Sequence, residues 1–92
     1  MAGVTPGRTV SENDAQKFEP AQVSVKVGDV VQWTNDGTAA HNVTFDNRQV
    51  PSSDTQNGGD KYEVKFLKAG SYHYVCTFHE AAGMTGTVTV TG

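Results

Sequence analysis

The amino-acid sequence predicts an all-β protein in which two sheets form a sandwich or a small barrel, and three observations support this class. Val and Thr are abundant, Leu occurs once and Ile is absent, and β-branched residues favour pleated strands over helices. Short runs of alternating apolar and polar residues are separated by regularly spaced turns, which is typical of such folds. The 92 residues match the length of one domain, so residues 1–92 are expected to form a single domain of about seven to eight strands.

The first half of the chain carries the signals of several short strands. Residues 10–18 are expected to add a pairing at the N-terminal edge. Valines alternate with polar residues over 23–27, and a turn at Gly28-Asp29 leads into a second apolar run at residues 30–34. This pattern predicts a pair of strands with a reversal between them. A further short strand is expected at residues 43–45.

The second half predicts a long surface excursion followed by three strands. Residues 46–60 are rich in Ser, Asn, Gly and Asp and carry no periodic signal, as is typical of a surface loop. Strand patterns follow at residues 61–66 and 71–76, separated by a turn at 68–70, and a final strand is expected at residues 87–91.

The strand that leads to the single cysteine fixes the direction of its thiol. If Tyr72 and Tyr74 face the core, the period of two places Cys76 on the inward face, while His73 and Val75 point out. Because the chain has one cysteine, no internal disulfide is possible. The thiol is therefore an inert packing group, a nucleophile or a metal ligand.

Composition and charge exclude several classes of function. The net charge is −3 and the Lys and Arg residues are scattered, so there is no basic stripe for nucleic acid. No run approaches the roughly 18 apolar residues that would cross a bilayer. The start of the chain lacks the hydrophobic core of a signal peptide. We therefore expect a soluble protein with no nucleic-acid partner and no membrane span.

Four side chains with soft or borderline donor atoms form the strongest chemical signal. Cys76 is followed by His79 and Met84 on one short loop, and His41 precedes the strand at 43–45, where a loop at the same end of a sandwich would present it. Two imidazoles and a thiolate with a weak axial thioether are typical of an electron-transfer copper site, whereas structural zinc prefers Cys or His as fourth ligand. Each residue alone is more often an ordinary packing or surface group, but their conjunction favours copper.

The residues around these donors resemble cupredoxins of the plastocyanin, pseudoazurin and amicyanin group over about residues 18–90. The most specific part is the run from Cys76 to Met84, which ends in Ala-Gly-Met and is preceded by Gly-Ser-Tyr-His-Tyr. Upstream, Val-Gly-Asp-Val-Val-Gln-Trp-Thr-Asn followed by His-Asn-Val is similar to the family's strand and first-ligand loop.

This resemblance implies a Greek-key cupredoxin sandwich that binds one copper ion, Cu(I) or Cu(II). It also implies that the backbone N–H of Asn42 donates to the cysteine sulfur and that the side chain of Asn42 joins the two ligand loops through Thr77. The ligands that the resemblance implies are His41, Cys76, His79 and Met84.

Three positions depart from the family pattern. Val75 stands where plastocyanins have an exposed Tyr, Phe78 replaces the usual Pro between Cys and His, and Ala40 replaces a Pro often found before the first His. Electron transfer is therefore expected at the His79 end, with His79 near solvent and both His41 and the cysteine buried. Redox partner proteins would dock there transiently. The apolar patch expected at this end consists of Phe78, Ala81, Ala82, Gly83 and Ala39.

Three classes of function follow from these observations. The favoured class is a blue copper electron carrier, the second is a copper-binding or copper-delivery protein without a shuttle role, and the third is a metal-free interaction module. An enzyme is not expected, because four protein ligands leave no open position for a substrate. We expect a monomer, and the resemblance implies an extracytoplasmic compartment, such as a periplasm, a thylakoid lumen or the cell exterior, for a chain whose signal peptide is absent.

Overall fold

The structure, a computed structural model, describes residues 7–13, 17–47, 50–79, 81 and 83–92. Within these ranges there are eight β-strands and no α-helix, and no helix of the described residues has the length and hydropathy needed to cross a membrane. The strands are β1 (Arg8–Glu12), β2 (Phe18–Glu19), β3 (Gln22–Lys26), β4 (Val30–Asn35), β5 (Thr44–Phe45), β6 (Lys61–Lys65), β7 (Gly70–Val75) and β8 (Thr85–Thr91).

The strands form two four-stranded sheets that share one apolar core. One sheet has the order β2-β1-β4-β6 and the other has the order β3-β8-β7-β5. β1 is parallel to β4 and β3 is parallel to β8, while the remaining neighbours are antiparallel. The predicted all-β sandwich is confirmed.

One detail of the predicted strand pairing is wrong. The runs at 23–27 and 30–34 do not pair with each other, because β3 and β4 belong to opposite sheets and the turn between them crosses the sandwich. Valines can be buried equally well from either sheet, so alternation alone does not choose between the two arrangements. At the N-terminus, β1 pairs with β2 as expected, but only β2 lies at the edge, since β1 also pairs with β4. The residues between them, 14–16, lie outside the described ranges.

An aromatic cluster fills the space between the sheets. The fully buried Trp33 lies 5.3 Å from Tyr74 and 5.7 Å from Phe45 between ring centroids, and Phe18 lies 4.7 Å from Tyr74. These edge-to-face arrangements suit the quadrupoles of aromatic rings. Trp33 and Tyr74 lie near the ends of β4 and β7, so the cluster anchors the end of the sandwich from which the donor-bearing loops leave.

Most of the predicted directions of the side chains on β7 are confirmed. Tyr72, Tyr74 and Cys76 are buried, and His73 is exposed. The Nδ1 atom of His73 lies 2.9 Å from Oδ2 of Asp46. The cysteine therefore points into the sandwich, as the alternation predicts.

Val75 was expected to point out into solvent, but its side chain is buried. Its side chain is only 8% exposed. Val75 lies in an inner strand, opposite Thr44 on one side and Thr85 on the other, and directly opposed side chains cover one another on the face of a sheet.

The predicted surface excursion at 46–60 is mostly exposed in its described parts, 46–47 and 50–60. One residue departs from this description. Gln56 is only 3% exposed and pairs with His41 through an isolated antiparallel bridge. The segment is therefore a structural partner of the first donor loop.

Gly86 of β8 provides the room that the Tyr74 ring occupies, because a Cβ atom at this position would overlap the tyrosine Cζ and hydroxyl. We predict that Gly86→Ala lowers the free energy of unfolding by about 1–3 kcal/mol, as overpacking of a core does. Urea denaturation measures this change. Gly92→Ala is the matched control, since a Cβ there meets nothing within 4 Å. Equal stability of the two variants would contradict this account of the core.

Candidate metal centre

His41 is held by hydrogen bonds to residues behind its loop. Its backbone N–H donates to the Gln56 carbonyl at 3.0 Å, and the Gln56 N–H donates to the His41 carbonyl at 2.7 Å. The side-chain amide of Asn35 donates to the carbonyl of Gln56 at 2.9 Å and to that of Ala39 at 2.8 Å. The backbone of His41 is therefore fixed by contacts within the chain.

Cys76, His79 and Met84 share the loop between β7 and β8, which are antiparallel neighbours. The Cys76 N–H donates to the Met84 carbonyl at 3.0 Å, the His79 N–H donates to the Cys76 carbonyl at 3.1 Å, and the Met84 N–H donates to the His79 carbonyl at 3.3 Å. Gly83, at a φ of 87°, adopts a conformation that favours glycine and turns the chain back before Met84. The sequence spacing therefore folds into a closed turn.

The two loops meet at one end of the sandwich. The donor atoms of His41, Cys76 and His79 lie within 4.8 Å of one another, and Nδ1 of His41 is 3.9 Å from Sγ of Cys76. His41, Cys76 and Met84 are fully buried, whereas His79 is half-buried with Nε2 lying 3.3 Å from the Ala40 carbonyl. The predicted burial of His41 and Cys76 and the partial exposure of His79 are confirmed.

Asn42 and Thr77 connect the loops directly. The Asn42 side-chain amide donates to the Thr77 hydroxyl at 2.7 Å, and the Thr77 backbone N–H donates to the Asn42 side-chain oxygen at 3.0 Å. The hydroxyl of Thr44 donates to the same oxygen at 3.1 Å. The connection that the resemblance implied is therefore present as a reciprocal pair of hydrogen bonds.

The expected apolar patch around His79 is partly described. Phe78 is 52% exposed, Ala81 and Gly83 are exposed, Ala39 is half-buried, and Ala82 lies outside the described residues. A Cβ atom built on Gly83 would lie 3.6 Å from Nζ of Lys17, so a cation borders the patch.

The donor set fits copper on chemical grounds. A thiol and two imidazoles close together, with a buried thioether-bearing residue hydrogen-bonded to the same turn, combine the soft and borderline donors that copper favours. Burial of Cys76 and His41 excludes water from the inner side of the centre. The arrangement can hold a metal ion whose outer ligand, His79, reaches the surface.

Sequence reasoning missed a buried polar group behind His41. Glu12 is fully buried; burial, and secondarily the negative charge of Asp36, raises the pKa of Glu12 to about 7. Burial also raises the pKa of Tyr74 to about 12; the Trp33 indole opposes this shift and Glu12 adds to it. Alternation from Val10 would have placed Glu12 inward. Gln56, whose side-chain amide lies against Glu12, belongs to a segment without alternation, so no sequence pattern indicated its burial.

A two-sheet sandwich with a thiol and two imidazoles gathered at one end defines a mononuclear copper protein of the cupredoxin class. The family model described as copper binding proteins, plastocyanin/azurin family, matches residues 6–91 of this chain. The chain therefore belongs to the plastocyanin/azurin family, and one copper ion is its cofactor. This membership favours the copper hypotheses over a metal-free interaction module.

Similar proteins support the same assignment. The chain is 40% identical over 90 residues to a plastocyanin from Scenedesmus fuscus, covering 87% of this chain and 92% of the relative. It is 41% identical over 90 residues to a chloroplastic plastocyanin from Tetradesmus obliquus, covering 87% of this chain but 62% of the relative. The solved Cu(I) form of an amicyanin methionine mutant has a TM-score of 0.83 at 31% identity, covering 97% of this chain and 86% of that one. The expected resemblance is confirmed.

We predict that Asn42→Ala lowers the free energy of unfolding of the metal-free protein by about 1–3 kcal/mol, because it removes a reciprocal pair of hydrogen bonds and leaves Thr77 without them. Denaturation without metal avoids the contribution of ligand binding to stability. Asn57→Ala removes the same amide from an exposed position and serves as control. If both variants lose equal stability, the hydrogen bonds between Asn42 and Thr77 do not make the predicted contribution to the free energy of unfolding.

Proposed function

We propose that this protein is a small blue copper electron carrier that transfers one electron at a time between redox partner proteins. The observation that carries the proposal is the convergence of the His41, Cys76 and His79 donor atoms within 4.8 Å. Membership of a copper-binding family supports copper as the ion. Residues 1–92 would form a single domain around that ion.

The protein would hold the ion through side chains that are already positioned. Bound copper would supply a one-electron couple between Cu(I) and Cu(II). Cys76 would bind as the thiolate, which is the metal-binding form of cysteine. The bridge from His41 to Gln56 and the hydrogen bonds between Asn42 and Thr77 would limit movement of the donors when the charge of the centre changes. The ligands that we assign are His41, Cys76, His79 and Met84.

Redox partners would dock at the His79 end. His79 is the donor nearest to solvent, because His41 and Cys76 are fully buried. Phe78 beside it exposes half of its surface and offers apolar contact area. Electron-transfer contacts of this kind are small and release quickly, which suits a carrier that must visit two partners.

The same donor set argues against an enzyme, since four protein ligands leave no open position for a substrate. We further propose a monomer in an extracytoplasmic compartment. Three of the similar plastocyanins are named as chloroplastic, which supports a location of this type.

We predict that the copper-loaded protein has an intense visible absorption that bleaches reversibly with a mild reductant. Cys76→Ser abolishes the colour, because the thiolate that gives rise to it is lost. Met84→Leu keeps copper and colour but raises the reduction potential, since the axial ligand tunes this potential and loss of a donor disfavours Cu(II). Visible spectra and redox titration measure both effects. An intensely blue Cys76→Ser protein would refute the ligand assignment, and a colourless protein that exchanges Cu(I) readily would indicate copper delivery instead.

We predict that Phe78→Ser slows electron self-exchange between the Cu(I) and Cu(II) forms by about three- to tenfold, because apolar area is lost from the docking surface. Self-exchange has no driving force, so a shift in potential does not confuse the result, and NMR line broadening measures the rate. Leu67→Ser is the matched control, as Leu67 is 72% exposed in the turn between β6 and β7. Equal slowing by both substitutions would place docking elsewhere.

A further inference from the structure

Glu12 is a buried acid that is not itself one of the proposed metal ligands. It ends β1, is fully buried and makes no ion pair within the described part of the chain. Its cross-strand neighbours, Phe18 of β2 and Asn35 of β4, do not titrate. A buried carboxylate with no cation beside it is costly, so folding favours the protonated acid.

Two titratable groups interact with the charge of Glu12: Asp36 and Tyr74. Asp36, whose backbone N–H donates to the Glu12 carbonyl at 2.9 Å, is exposed and adds negative charge. Tyr74 of β7 faces the same region, and because burial raises the pKa of Tyr74 to about 12, its phenol stays neutral. The raised pKa of Glu12, about 7, places its own titration within the physiological range.

The side-chain amide of Gln56 can be placed in its site in two ways, because exchanging its oxygen and nitrogen leaves its shape unchanged. In one, Nε2 lies 3.3 Å from the Asp60 carbonyl and 3.4 Å from the Trp33 carbonyl, and the amide oxygen faces Glu12. In the other, Nε2 donates to the two carboxylate oxygens of Glu12 at 2.7 and 3.1 Å. An amide oxygen can face a carboxyl group favourably only if that group carries a proton to donate. The first orientation therefore belongs to the acid and the second to the carboxylate.

Gln56 connects this choice to the metal centre. Its backbone makes both hydrogen bonds of the bridge to His41, and its side chain reaches the carbonyls of Trp33 and Asp60 in only one orientation. When the amide turns toward Glu12, its oxygen faces those two carbonyls. Repulsion between these oxygens disfavours the present position of Gln56, and a displacement of Gln56 would be transmitted to the His41 backbone through the bridge.

We propose that Glu12 and Gln56 form a proton-controlled positioning pair that sets the position of the His41 ligand. The pair acts through the backbone of Gln56 and not by touching the metal. Its effect on copper rests on the function proposed above, whereas the movement of His41 with the protonation of Glu12 does not, so the two can be tested apart.

NMR titration of the metal-free protein tests the positioning pair directly. We expect the carboxyl carbon of Glu12, the side-chain amide of Gln56 and the backbone amide of His41 to titrate with one shared midpoint near pH 7. A flat His41 amide, or a Glu12 midpoint near 4.5, the ordinary pKa of a glutamate, would overturn the proposal. Histidine imidazoles also change charge in this pH range, so the His41 shift supports the proposal only if its midpoint is the same as that of the Glu12 carboxyl carbon.

Two variants separate the pair from general effects of charge. Glu12→Gln cannot titrate, so the shifts of Gln56 and His41 near pH 7 should disappear. Glu63→Gln is the matched control, because Glu63 also accepts a hydrogen bond from a glutamine amide, that of Gln32 at 2.8 Å, but on the protein surface. Persistence in Glu12→Gln of a Gln56 and His41 shift with one shared midpoint near pH 7 would overturn the proposal.

Stability gives a second readout with a defined sign. The pKa of Glu12 is raised to about 7 in the folded state, whereas the ordinary pKa of a glutamate is 4.5. The unfolded chain therefore binds fewer protons between these values, and the stability due to Glu12 is complete below pH 4.5 and falls as the pH rises to about 7. The unfolding free energy of the wild type should decline over this window relative to Glu12→Gln. If the unfolding free energy of the wild type does not decline relative to Glu12→Gln, the assignment of Glu12 as the titrating group is overturned.

The copper-loaded protein tests the consequence for electron transfer. We expect the reduction potential of the wild type to shift with pH around the same midpoint, and this shift to be lost in Glu12→Gln but kept in Glu63→Gln. If the potentials of wild type and Glu12→Gln vary identically with pH, the pair does not act on the metal centre. Failure to bind copper at all would overturn the proposed function while leaving the NMR result to stand alone.

Discussion

The structure depends on one constraint: His41 must be held opposite a thiol that lies 35 residues further along the chain. Polar donor groups have no mutual attraction that would gather them inside an apolar core. Their position comes instead from the backbone bridge to Gln56 and from the reciprocal hydrogen bonds between Asn42 and Thr77. Each hydrogen bond adds only about 0.5–1.5 kcal/mol net, so the geometry of the site depends on several of them acting together.

The apolar core and the buried polar groups have different roles in meeting this constraint. Burial of Trp33 and Tyr74 stabilises the sandwich, but the hydrophobic effect is non-directional and cannot by itself orient a loop. Hydrogen bonds from Asn35 and Gln56 supply that direction at the end of β4. The side chain of Gln56 lies against a buried acid, Glu12. Burial raises the pKa of this acid, so the folded state favours its protonated form. The same group that stabilises the loop in one charge state therefore disturbs it in the other.

The parts of the site that the sequence predicted are the parts encoded locally. Cys76, His79 and Met84 lie on one turn between paired strands, so their spacing was sufficient to bring them together. His41 lies outside this turn, so its placement depended on its position before the strand at 43–45 and on the family resemblance. Gln56 lies in a stretch without periodicity, and its burial follows only from the path of the whole chain. Alternation of apolar and polar residues also identified the strands. It defines which face of a strand is buried but not which strand lies beside it. It therefore could not predict the crossing between β3 and β4 or the burial of Val75.

The two imidazoles illustrate how one residue type acquires two roles from its surroundings. His41 is fully buried and joined through its backbone to the interior, whereas His79 is half-buried on a turn that ends at exposed residues. Changes inside the sandwich therefore reach the centre through His41, and contact with another protein reaches it through His79. Because Glu12 is fully buried whereas Phe78 is exposed, substitutions at Glu12 can alter the reduction potential without altering the surface at Phe78. A carrier built in this way can adjust its potential and its choice of partner independently.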